Sequence, residues 1–158
     1  MSAPSRWSVQ HEELHADCRV FRVFKERCHH PLDHREGDFF VLRSRDWVLA
    51  LPVTDDGRLV MVRQYRPALD SYSLEIPAGM RDVVGEDPQD TAIRELQEET
   101  GFVSTDVRPL GQILQSPGIS NAVVHLFVAI GLNEVAMDRH GPEEDDMTVM
   151  VLLLDDAI

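Results

Sequence analysis

Apolar and polar positions alternate over much of the first half of the chain, the pattern of half-buried strands. Cys18-Arg-Val-Phe-Arg-Val-Phe alternates apolar and charged residues, and Asp38-Phe-Phe-Val-Leu reads as a second strand. Between them, Lys25 to Gly37 is polar and is expected to be a connecting loop. Trp47 to Val53 and Leu59 to Tyr65 flank Asp55-Asp56-Gly57, a turn sequence that predicts a hairpin. Tyr72 to Ile76 predicts a short strand closed by Pro77-Ala78-Gly79. The period then changes. Ala92, Ile93, Leu96 and Thr100 recur at helical spacing, Asp87 and Pro88 suit an N-cap and a first turn, and Gly101 is placed to end the helix. Strands are predicted at about 107–114, 123–130 and 147–154, and Asp155 to Ile158 reads as the first turn of a second helix. The fold class expected is α/β (α+β), a mixed sheet covered by helix with a β-rich N-terminal part.

Composition narrows the function classes. A chain of 158 residues, 43% apolar and 27% charged, suits a compact domain that needs no cross-links to fold. A net charge of −13, with only 15 Lys and Arg, argues against neutralising a phosphate backbone, so no nucleic-acid partner is expected. No apolar run approaches the ~18 residues of a membrane span, so no membrane partner is expected either. Two cysteines, Cys18 and Cys28, are too few for a disulfide framework, and Met1 to Trp7 lacks the apolar stretch of a secretory signal. The expected location is therefore the cytoplasm. A phosphate-bearing ligand is expected to reach so acidic a chain together with a metal cation.

Candidate chemistry gathers on the helix. Glu95, Glu98 and Glu99 fall within one arc of roughly 100°. Carboxylates at such spacing repel one another, and a hard divalent cation such as Mg²⁺ would reverse that sign. The alternative is a solvated Glu-rich face. Glu86, in the loop before the helix, is placed to pair with Arg94, and Gly79 lets backbone approach a ligand closely. Arg63 and Arg66, at the end of a strand, are candidates for bidentate phosphate contacts, the alternative being surface charge. Tyr65 and Phe127 are expected in the core, as is His125. Cys28, His29, His30 and His34 match no common zinc spacing and are read as a polar loop.

Gly79, Glu86 and Arg94-Glu95-Leu96-Gln97-Glu98-Glu99-Thr100-Gly101-Phe102 resemble the Nudix box, G-x5-E-x7-R-E-U-x-E-E-x-G-U, with U apolar. The half from Glu86 onward matches at every fixed position, while Met80 to Gly85 is one residue longer than the pattern. Arg63-Gln64-Tyr65-Arg66-Pro67, Leu74-Glu75-Ile76-Pro77-Ala78-Gly79 and Ser116-Pro117-Gly118-Ile119-Ser120 are similar to the ADP-ribose pyrophosphatase branch of that superfamily.

The resemblance implies the Nudix fold, a mixed β-sheet sandwiched by helices, over residues 45–158, and a β-rich dimerisation element over 1–44. It implies Mg²⁺-dependent hydrolysis of the pyrophosphate of ADP-ribose or a related nucleoside diphosphate sugar, with Mn²⁺ a possible substitute. Other nucleotides (a GDP-sugar, a dinucleoside polyphosphate) and a non-catalytic sensing module are the alternatives. Glu95 and Glu99 are the implied metal ligands, with Glu98 a further ligand or bridge and the Ala78 carbonyl an additional one. Glu86 and Arg94 orient the loop and helix. Glu143 or Glu144, in an acidic loop, is the implied general base. Arg63, Arg66, Gly79 and Pro117 are the implied substrate-binding residues. The partners implied are a small nucleotide sugar and a second copy of the chain, with Trp7 stacking on a base across the dimer or packing at a rim.

Overall fold

Asp87 starts the helix as the sequence predicts. Its backbone is extended (φ −68°, ψ 141°), its carboxylate accepts from the Gln89 amide at 2.9 Å, and proline occupies the first turn. Helix α1, Pro88–Thr100, ends at Gly101, whose φ of 72° is left-handed and whose amide donates to the Gln97 carbonyl. A Cβ there would also lie 2.9 Å from Met137 Cγ, so conformation and packing both demand glycine. In the computed structural model, which describes residues 4–139 and 146–157, α1 is the one α-helix. Helices on both sides of the sheet were expected. The C-terminal helical turn is a 3₁₀ turn, Leu154–Asp156.

The chain forms two compact units. The first comprises the residues up to Arg45 together with Leu114–Val123. Its strands β1 (Ser8–Asp17), β2 (Phe21–His29) and β3 (Glu36–Ser44) form an antiparallel sheet in chain order. Residues 114–123 join it where the Leu42 amide donates to the Ile119 carbonyl at 2.7 Å.

Two expectations are corrected here. β1 lies in the stretch from Trp7 that reads as mainly strand-like but in which no strand was bounded, and the chain turns at Arg19 (φ 65°) where a strand was expected to be under way. β2 also continues to His29, into the stretch read as a loop. Both segments are too charged for their strand bounds to be read. Cross-strand ion pairs accommodate the charge: Arg27 with Asp38, Lys25 with Asp38, and Arg43 with Glu12 and Glu26.

The second unit, Asp46–Ile113 with the residues from Val124 onward, carries two sheets. One has the order β7-β4-β9-β8, with β4 at Trp47–Pro52, β7 at Ala78–Met80, β8 at Phe102–Leu114 and β9 at Val123–Glu134. The other has the order β10-β5-β6, with β5 at Leu59–Arg66, β6 at Ser71–Glu75 and β10 at Thr148–Leu152.

The turn at Asp55-Asp56-Gly57 forms, with Gly57 at φ 81° and the Thr54 amide bonded to the Arg58 carbonyl. The predicted hairpin does not. After a single bridge between Val53 and Leu59 the strands part into different sheets. β4 pairs parallel with β9, and β5 pairs with β6 and β10. Leu59 to Val62 are buried in succession, so β5 needs cover on both faces, which a two-stranded hairpin does not supply.

α1 packs Ala92 and Leu96 onto Val48, Ala50, Val107, Phe127 and Ala129. Leu96 is 0% exposed, so Leu96→Ala is expected to cost about 2–5 kcal/mol through lost burial and a cavity. Val84→Ala, at a fully solvated loop position, should change stability by less than about 0.5 kcal/mol. Thermal or urea unfolding of both variants checks this.

Candidate active site

Three segments of the second unit assemble the site. β7 delivers Ala78 and Gly79, the following loop delivers Glu86, and α1 delivers Arg94, Glu95, Glu98 and Glu99. The Ala78 amide donates to Glu99 Oε2 at 3.0 Å, tying strand to helix. Gly79 is paired with Val48 and faces Glu95 so closely that a Cβ would lie 1.9 Å from the Glu95 Cδ. Only glycine leaves room for that carboxylate. The residue in excess of the box pattern is absorbed in the loop, where Val84 is 96% exposed and Gly85 takes φ 83°. Both ends of the loop keep their contacts with α1.

The carboxylates are not a solvated face. Glu98 is 7% exposed and Glu99 5%. Burying such groups is costly unless a positive charge compensates, and Arg94 supplies one. Its Nη1 lies 2.8 Å from Glu95 Oε1 and 2.9 Å from Glu98 Oε2, and its Nε lies 3.3 Å from Glu86 Oε1. Burial pushes the Glu95 carboxyl up to about 7, although Arg94 pulls the other way. Burial opposes ionisation of Glu86 too, yet hydrogen bonds from Arg94 and Thr91 hold it below the usual carboxylate range. Thr91, completely buried with its hydroxyl 2.8 Å from Glu86 Oε2, was not singled out in the sequence; nothing in the helix pattern separates it from an ordinary core threonine.

Glu95, Glu98 and Glu99 are hard oxygen donors on adjoining turns beside a glycine, a donor set suited to Mg²⁺ or Mn²⁺. Among the described residues, no three acidic, His or Cys side chains yet converge on one point. The reason is visible in the contacts: Glu95 and Glu98 are turned onto Arg94, and Glu99 onto the Ala78 amide.

The remaining expected residues are more scattered. Arg66 is gripped by Glu75 through two hydrogen bonds of 2.8 and 2.6 Å, which hold Glu75 below its usual range. Arg63 stands on the exposed face, its guanidinium 4.7 Å over the Tyr72 ring. Tyr65, expected in the core, is 49% exposed and bonds to Asp70, because it shares that outer face of β5 with Arg63. Phe127 is buried, and His125 is satisfied by Gln112 and Asp46.

Pro117 lies in an exposed turn of the first unit. Trp7 meets His30 and Phe39 edge-on in the same unit. His29 and His34 face each other, His30 pairs with Asp33, and no zinc-like group forms among the described residues. Glu143 and Glu144 lie outside the described residues.

The family model for the NUDIX domain matches residues 43–157. The chain belongs to the Nudix family. Among Nudix relatives, an "ADP-ribose pyrophosphatase" of Bacillus subtilis is 39% identical over 111 residues, covering 70% of this chain and 60% of the relative. A "Methanol dehydrogenase activator" of Bacillus methanolicus is 38% identical over 119 residues, covering 75% and 63%. An "ADP-ribose pyrophosphatase" of Mycobacterium tuberculosis is 39% identical over 102 residues, covering 65% and 49%. The chain thus spans about half to two thirds of these relatives' length. A crystal structure titled as an ADP compounds hydrolase shares the fold, with a TM-score of 0.86 over 98% of this chain and 82% of that one, at 24% identity.

A pH dependence follows from Glu95. Its folded value of about 7 exceeds the ordinary 4.5, so its contribution to stability is complete below about pH 4.5 and lost as pH rises through 7. Without divalent cation, the protein is expected to lose on the order of 2 kcal/mol across that window. Glu95→Gln should flatten the decline, which melting curves in EDTA between pH 5 and 8 will show.

Proposed function

We propose that this protein is a divalent-metal-dependent pyrophosphohydrolase of ADP-ribose or a related nucleoside diphosphate sugar. The observation that carries the reading is the placing of Glu95 and the buried Glu98 and Glu99 on one helix against β7, with Gly79 leaving room for Glu95, in a chain that matches every fixed position of the Nudix box from Glu86 onward. The names of the ADP-ribose pyrophosphatase relatives supply the substrate class.

Glu95, Glu98 and Glu99 would hold Mg²⁺ or Mn²⁺, joined by the Ala78 carbonyl. A cation bound there would supply charge neutralisation for the diphosphate and a lowered pKa for an attacking water. Glu86 and Arg94 orient the loop against the helix, and Gly79 keeps the strand close to the carboxylates. Arg66 meets phosphate oxygens after loosening its grip on Glu75, and Arg63, on the opposite face of β5, does not share that contact. Glu143 or Glu144 accepts a proton from the attacking water. The water oxygen bonds to one phosphorus as the bridging P–O bond breaks. Two phosphomonoesters leave, AMP and ribose 5-phosphate in the case of ADP-ribose.

The first unit serves as a dimerisation element. Val9, Leu14 and Phe39 stand exposed on one face of its sheet, an apolar surface that a second copy would cover. Light scattering should give twice the monomer mass; a monomer would remove this part of the reading.

Chromatography of products from ADP-ribose, ADP-glucose, UDP-glucose, GDP-mannose, NADH and diadenosine polyphosphates with Mg²⁺ tests the activity. ADP-ribose should turn over fastest, and Glu99→Gln should lower the rate by about two orders of magnitude or more. Preference for another panel member would keep the mechanism and discard the substrate. Binding without any turnover would point to a sensing module.

A further inference from the structure

We propose that Arg94 is an exchangeable counter-cation, seated on Glu95 and Glu98 when no divalent ion is bound and withdrawing onto Glu86 and Asp82 when one binds. The proposal rests on the cation site described above and goes beyond it, because it makes cation affinity a competition with a charge built into the helix.

Arg94 grips two carboxylate sets unequally. Nη1 is 2.8 Å from Glu95 and 2.9 Å from Glu98, whereas Nε and Nη2 are 3.3 and 3.4 Å from Glu86, and Nη2 is 3.5 Å from Asp82. The tight end occupies two of the three carboxylates that would hold the ion. The loose end already touches the second set, so exchange needs only side-chain rotation about an arginine whose planar fork spans both. The second set is built to wait. The Thr91 hydroxyl holds Glu86 Oε2 at 2.8 Å, and Arg81 Nη2 donates to the Glu86 carbonyl at 2.8 Å. A divalent ion and a guanidinium cannot share Glu95 and Glu98 without strong like-charge repulsion. The buried carboxylates therefore remain compensated in either state, by arginine or by ion.

Competition and simple positioning predict opposite signs. If Arg94 competes, Arg94→Gln should bind Mn²⁺ about tenfold more tightly, the equivalent of one lost charge-assisted hydrogen bond. If Arg94 only positions the glutamates, the same variant should bind Mn²⁺ more weakly. Glu86→Gln removes the waiting set and should weaken Mn²⁺ binding severalfold, but only while Arg94 is present; in the Arg94→Gln background its effect should vanish. Arg108→Gln removes an equal charge from an exposed ion pair with Asp106, away from Glu86, Glu95 and Glu98, and should leave the affinity within about twofold.

The full chain, free of nucleotide, would be titrated with Mn²⁺ by calorimetry, with melting curves in EDTA and in Mn²⁺. The stabilisation conferred by Mn²⁺ should be larger in Arg94→Gln than in the unaltered protein. Weaker or unchanged affinity in Arg94→Gln, or a Glu86→Gln effect that persists without Arg94, overturns the proposal. Should Arg94→Gln fail to fold, Glu86→Gln alone decides, since tighter or unchanged binding contradicts the exchange. Absence of Mn²⁺ binding by the unaltered protein would instead overturn the cation site itself.

Discussion

Three glutamates on adjoining helical turns, two of them almost fully buried, cannot all stay ionised without positive charge nearby. Arg94 answers that constraint from within the same helix, and much else in the second unit is arranged around it. Glu86 and Thr91 hold one side of its guanidinium, and Glu95 and Glu98 take the other. Gly79 must lack a side chain because Glu95 occupies the space one would fill. The Ala78 amide satisfies Glu99, so the strand is bound to the helix by the group that it helps to place.

The sheet serves this arrangement by carrying β7 and α1 on opposite sides of one short loop. β4 pairs with β7 on one edge and with β9 on the other, and the face beneath α1 is filled by Val48, Ala50, Val107, Phe127 and Ala129. Where β7 meets α1, the Ala78 amide reaches Glu99 and Gly79 lies against Glu95. The surplus loop residue is harmless for the same reason. Both ends of the loop are pinned by contacts to α1, and the added length bulges outward at Val83 and Val84, into solvent.

Substrate-side features show the reverse. Arg63 and Arg66 are close in sequence, but in the structure one lies over Tyr72 and the other is clamped by Glu75. Their spacing alone suggested a shared phosphate contact. Three residues apart on one strand, they point to opposite faces, and β6 places Glu75 opposite Val62 on the face that Arg66 shares. Charge likewise hid the bounds of β1 and half of β2 in the sequence, because polar residues there are balanced across strands by partners far along the chain.

The sequence by itself determined what depends on neighbours within a few residues. The helix and both its caps, the carboxylate arc, the turn at Gly57 and the Nudix box are local, since 3.6-residue periodicity and glycine or proline stereochemistry act over one or two turns. Only the tertiary structure decided that the strands flanking Gly57 belong to different sheets, that Tyr65 faces outward and that Glu98 and Glu99 are buried. It also decided that Arg94 lies across the carboxylates rather than beside Glu86 alone. Each of these turns on which distant segments meet, and burial and charge compensation are properties of that meeting, which no local pattern encodes.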